Sequence, residues 1–133
     1  MKVMLDTNIL ISAFIFKSNK MNNLIYELSK KHEIVICSYT IEELKELFEN
    51  KFNVSLKTLN LFLKNFPFTL VKSPNNPQEN LFNIRDKDDY IILYTAIVEN
   101  VDVFITGDKD FDDVEIKKLE ILKPSEFIQK YLN

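Results

Sequence analysis

Two short apolar runs, far apart in the chain, each stop at an acid: KVML at 2–5 ends in Asp6, and VFIT at 103–106 ends in Gly107-Asp108. Runs that are apolar at successive positions, too short for helices and bounded by polar residues, suit strands covered on both faces, as in a parallel sheet. IVIC at 34–37, FTLVK at 68–72 and LEIL at 119–122 read the same way. Between them the apolar spacing turns helical. Ile9, Leu10, Ala13 and Phe14 form one stripe, Leu24, Ile25 and Leu28 a second, Ile41, Leu44, Leu47 and Phe48 a third, and Leu56, Leu59, Phe62 and Leu63 a fourth. A nearly all-apolar helix is expected at 91–98, and a closing helix at 124–132 with Pro124 in its first turn. Strands alternating with helices predict an α/β fold with a central, mostly parallel β-sheet flanked by helices.

One domain spanning 1–133 is expected, because the only clear loop, SPNNPQEN at 73–80, is too short to separate two bodies of this size. The 46% apolar and 28% charged composition is globular, and a single Gly leaves little material for phosphate-cradling loops. One cysteine, Cys37, excludes an internal disulfide and points to a reducing, cytoplasmic compartment. No apolar run reaches the ~18 residues that cross a bilayer. The net charge of −3, with 17 Lys plus Arg against 20 Asp plus Glu, excludes a broad basic face for nucleic acid.

The acids are distributed with more purpose than the total suggests. Ligands of open parallel sheets bind at the carboxyl ends of the strands, where Asp6 and Asp108 are expected. Each also has a plain structural role open to it, as a helix cap or a turn residue. Thr40-Ile41-Glu42-Glu43 reads as a capping box, yet on the helical wheel Glu43 flanks the apolar stripe and leans toward the same edge. Arg85-Asp86-Lys87-Asp88-Asp89 precedes the most apolar helix, with more acid than a helix entry requires. Asp86, Asp88 and Asp89 compete for a site position, and Asp89, next to the helix proper, is best placed. Carboxylates gathered in this way repel one another and stay charged only beside a cation. Oxygen ligands select Mg²⁺ or Mn²⁺, which suits hydrolysis of a phosphodiester by an activated water; the number of ions stays open.

Met4-Leu5-Asp6-Thr7-Asn8, Thr40 to Leu44, Asp89 ahead of Thr95-Ala96, and Thr106-Gly107-Asp108-Lys109-Asp110 together resemble, in order and spacing, the four motifs of PIN-domain ribonucleases. The resemblance implies a Mg²⁺- or Mn²⁺-dependent endoribonuclease with Asp6, Glu43, Asp89 and Asp108 around the metal. Asn8 and Thr106 would position that cluster, and Asp110 would be an additional acid. Small stand-alone members resemble VapC-like toxins of toxin–antitoxin pairs, so an RNA substrate and a cognate antitoxin protein are implied, with a homodimer left open. RNA sequence choice is not readable from the motifs.

Two other readings compete. A haloacid-dehalogenase-type phosphatase also has a late Gly-Asp-x-x-x-Asp, matched by Gly107, Asp108 and Asp112, but its first motif wants an acid where Asn8 stands. A non-catalytic binding or regulatory domain would use the acids only as caps. Cys37 reads as core and His32 as a favourable charge near a helix end. Phe14, Phe16, Tyr39 and Tyr90 are candidates to flank the cleft and stack on a base, and Lys17, Lys20, Lys45 and Lys109 are candidates for phosphate contacts.

Overall fold

The computed structural model describes residues 1–132. Five strands, β1 (Lys2–Leu5), β2 (Glu33–Cys37), β3 (Thr69–Val71), β4 (Val103–Ile105) and β5 (Glu120–Leu122), form one sheet in the order β3-β2-β1-β4-β5. Every pairing is parallel. Six helices complete the fold: α1 (Thr7–Phe14), α2 (Asn19–Lys31), α3 (Ser38–Asn50), α4 (Leu56–Lys64), α5 (Lys87–Val98) and α6 (Pro124–Phe127). The closing segment is thus a short α6, with Pro124 in its first turn as expected, followed by a wider π-type turn over Ile128–Leu132.

The continuous apolar runs are explained by burial on both faces of the sheet. Val3, Leu5, Ile34, Ile36, Val103 and Ile105 point into one core with α1, α2, α3, α4 and α6. Met4, Val35, Cys37 and Phe104 alternate onto the other face, against Ile92, Leu93 and Ala96 of α5. Since successive strand side chains face opposite ways, no position from Val3 to Leu5 or in β4 is left for water. Phe104 is fully buried edge-on to Phe111, and its truncation to Ala would cost about 3–5 kcal/mol.

Side-chain caps start most helices. Ser18 accepts from Met21 N and Ser55 from Thr58 N, each satisfying an otherwise orphaned donor. Asn100, at φ 56°, closes α5 in the left-handed conformation that glycine ordinarily supplies. The capping box expected at Thr40 is not formed. Helix α3 begins earlier, at Ser38, and the buried Thr40 hydroxyl lies 3.3 Å from Cys37 Sγ instead. That difference frees the Glu43 side chain for other work. The helix at 91–98 likewise begins earlier, at Lys87, and its far face is only partly covered, with Val98 half exposed. Among the described residues, no helix is long and apolar enough to cross a membrane.

Candidate active site

The sheet order changes direction between β1 and β4: the chain builds outward from β1 through β2 to β3, then crosses back to start β4 on β1's other side. The carboxyl ends of two diverging connections leave a crevice there. Asp6 leaves β1 at this point, and its backbone N–H donates to Ile105 O across the strand pair. Its side chain is buried. Oδ1 accepts from Thr7 N at 2.8 Å, capping α1, while Oδ2 accepts from the Thr106 hydroxyl at 2.7 Å. Burial pushes the Asp6 carboxyl up to about 6; the Thr106 and Thr7 hydrogen bonds oppose this, and nearby Glu43 and Asp108 add to it.

Thr7 and Thr106 extend Asp6 in two directions. The Thr7 hydroxyl donates to Glu43 Oε1 at 2.6 Å, tying α1 to α3 and holding Glu43 at the crevice rather than on its own helix cap. Burial, followed by repulsion from Asp88, Asp86 and Glu46, raises the Glu43 pKa against that bond. The Thr106 oxygen accepts from Asp108 N at 3.0 Å, so one hydroxyl spaces Asp6 and Asp108. Asp108 in turn caps a single 3₁₀ turn, accepting from Asp110 N at 2.9 Å.

Asp89 enters from the first turn of α5. One carboxylate oxygen from each of Asp89, Asp108 and Asp110 lies within 4.8 Å of the others. Burial raises Asp89 to about 7, with Asp86, Asp6, Asp108 and Asp110 adding repulsion. Its two rivals are otherwise engaged: Asp86 caps α5 by accepting from Asp88 N, and Asp88 accepts from the Tyr39 hydroxyl. Asn8 lies exposed in the first turn of α1. Asp112 forms an ion pair with Lys123 at 3.8 Å, outside the acid group.

Several expected contributors fall elsewhere. Phe14 is buried and stacked on Phe62, so it is core and offers no face to a base. Phe16 is exposed and packs edge-on against Phe52. Lys45 sits in a groove along α3 beside Glu42, Glu43, Glu46, Glu49 and Asp88, and pairs with Glu42 at 3.4 Å. His32 stands at the C-cap of α2, where burial, the neighbouring amino terminus and Lys31 lower its pKa. Motif reading gave Thr7 no task and expected Tyr39 only to flank the cleft and stack on a base; the hydroxyls of both reach acids on other elements. Thr7 stood inside the first motif, and only its contact with Glu43 gives it a task.

A PIN domain family model matches residues 2–110. The chain belongs to the PIN-domain family. The match takes in all four acid-bearing segments of this PIN domain and ends just before β5 and α6. Its fold is similar to a chain in the crystal structure of VapBC2 from Rickettsia felis bound to a DNA fragment from their promoter. The TM-score is 0.72 at 23% identity, over 92% of the PIN domain and 98% of that chain. DNA-bound VapBC from Salmonella typhimurium gives 0.66 at 18% identity, over 93% and 98%. No curated protein matches significantly. Family membership displaces the haloacid-dehalogenase reading, whose late acid, Asp112, is the one held by Lys123.

Proposed function

We propose that this PIN domain is a Mg²⁺- or Mn²⁺-dependent endoribonuclease and the toxin of a toxin–antitoxin pair, with Asp6, Glu43, Asp89 and Asp108 as its catalytic carboxylates. The observation that carries the reading is the meeting of Asp89, Asp108 and Asp110 beside buried Asp6, at the one sheet edge where parallel folds bind ligands. The donor set fits a hard divalent ion: it is all oxygen, and the raised pKa values of Asp6 and Asp89 report repulsion and burial that a cation relieves. Asp89, Asp108 and Asp110 would hold the ion, with Asp6 completing the charge from behind. The chemistry a bound ion supplies is polarisation of a phosphate oxygen and of the attacking water.

The chain's own groups do the rest. Thr106 fixes the Asp6 carboxylate and the start of the Asp108 turn with one hydroxyl. Thr7 turns Glu43 into the crevice, where its raised pKa suits it to take a proton from water. The likeness to VapBC complexes supports an inhibitory antitoxin partner, and a homodimer belongs to the same reading. Buried, unpaired Cys37 supports a cytoplasmic setting.

Incubation of purified protein with RNA in Mg²⁺ or Mn²⁺ is expected to give endonucleolytic fragments, and EDTA to stop it. Calorimetry is expected to show Mn²⁺ binding to the wild type and weaker binding to Asp6→Asn. Equal Mn²⁺ binding by both, or cleavage that persists in EDTA, refutes the metal-site assignment.

A further inference from the structure

We infer that the cavity between the segment 75–84 and α5 is a nucleobase subsite for the RNA strand whose phosphate lies at the acid cluster, an inference that rests on the nuclease reading. The cavity has a volume of about 630 Å³, room for a base and its sugar, and is lined by Asn76, Asn80, Asn83, Phe82, Lys87 and Tyr90. Its position is set by α5. Lys87 lines the cavity and Asp89 belongs to the acid cluster; at i and i+2 they point to opposite sides of the first turn of α5, which stands between the two sites. The segment is also tied to the acids at its far end, where Arg85 pairs with Asp110 at 3.6 Å.

Charge selects this direction for the strand. On the α3 side of the crevice, the groove holding Lys45 and Lys51 carries five carboxylates, Glu42, Glu43, Glu46, Glu49 and Asp88, and would repel a phosphate chain. On the α5 side, Lys87 balances the lone acid Glu79, and the remaining polar groups are amides. The chemistry fits a base. Asn76, Asn80 and Asn83 are exposed, and each amide offers paired donors and an acceptor, the complement of a base edge. Phe82 and Tyr90 form a stacked pair at 4.3 Å, and Tyr90 is anchored through its hydroxyl, which donates to Gln78 O and accepts from Leu81 N. Tyr90 is backed by Tyr94 at 6.3 Å, so the face offered to a base is that of Phe82, and an anchored aromatic face beside exposed amides is how single-stranded RNA bases are commonly held.

Two readouts test this. Wild type is expected to cleave a randomised single-stranded RNA pool with a base preference at one position flanking the cut, and Asn76→Ala/Asn83→Ala to relax that preference about tenfold, whatever the change in overall rate. Phe82→Ala is expected to weaken binding of a fluorescent hexaribonucleotide in Mg²⁺ by about tenfold, the scale of one lost stacked base. Hexamers carrying 5-iodouridine should photo-cross-link to Phe82 or Tyr90. An unchanged preference in the double variant, with cross-links confined to the α3 groove, overturns the subsite and leaves the nuclease standing. Cross-links at Phe82 without any wild-type cleavage would uphold the subsite and remove the nuclease. Absence of both cleavage and cross-links at this cavity overturns the inference together with the reading beneath it.

Discussion

On one side of the crevice, Asp6 and Glu43 are held by threonine hydroxyls; on the other, Asp89, Asp108 and Asp110 are gathered with only backbone bonds between the last two. Asp6 is 4% exposed and fully bonded, whereas Asp110 is open to solvent. The first pair is fixed before any ligand arrives, Asp6 in the core and Glu43 half-buried beside it, because hydrogen bonds set the direction of each carboxylate. The second is a set of like charges nearer to solvent, steadied by one backbone donor to Asp108 and by Arg85 on Asp110, and it is the set proposed to close on a cation. Preorganisation on one side and adaptability on the other let a site be both rigid and loadable.

The largest effect is expected from Asp6→Asn, which removes a buried charge without changing volume. RNA cleavage should fall by about a thousandfold or more, the upper scale for losing a preorganised electrostatic group, with circular dichroism unchanged. Retained cleavage would show that the buried side is only structural. Thr106→Val breaks the link between the two sides, and a loss of about 10–100-fold is expected, the usual cost of removing a group that orients metal ligands. Its readout is a weaker Mn²⁺ affinity by calorimetry alongside the slower rate.

Titration separates the sides further. Asp6 and Asp89 have folded-state pKa values of about 6 and about 7, above the ordinary carboxylate value of 3.8. The folded protein therefore holds extra protons between those values, and that contribution to stability is present at low pH and lost as pH rises through 6 and 7. Without divalent ions, the melting temperature should fall between about pH 4 and about pH 7, with Asp6 contributing at most about 3 kcal/mol across that range. Mg²⁺ or Mn²⁺ should raise it more at pH 8 than at pH 5. A melting temperature that is flat or rising with pH in EDTA would contradict the crowding of these acids. The smallest effect on stability is expected from Gly107→Ala: its φ is not positive and an added Cβ meets nothing within 4 Å, so the fold should be unaffected. Any loss of cleavage in that variant would report a substrate strand passing close to the turn.

The same contrast explains what the sequence made legible. Continuous apolar runs disclosed the central strands because both faces of β1 and β4 are covered, and the acids that end them follow from strand direction alone. The start of α3 is not legible locally, because Thr40 has the right residue type for a cap while its hydroxyl lies against Cys37 Sγ, a contact set by packing. For a similar reason Thr7 was silent. Its bond to Glu43 joins two elements whose approach depends on the whole core, and no local pattern encodes it. Position next to the helix proper already favours Asp89, and the structure adds that Asp86 is taken up by the cap and Asp88 by Tyr39.

The pairing of β1 with β4 has a consequence in time. Met4 lies opposite Phe104, and Thr106 reaches back to Asp6, so the crevice closes only after nearly the whole chain is available. Such non-local pairings form late, since the intervening chain must first be ordered. A nascent chain emerging from the ribosome would carry Asp6 and Glu43 long before Asp108 could join them. Synthesis itself thus delays assembly of the acids, and the cluster is kept incomplete while the message is still being read.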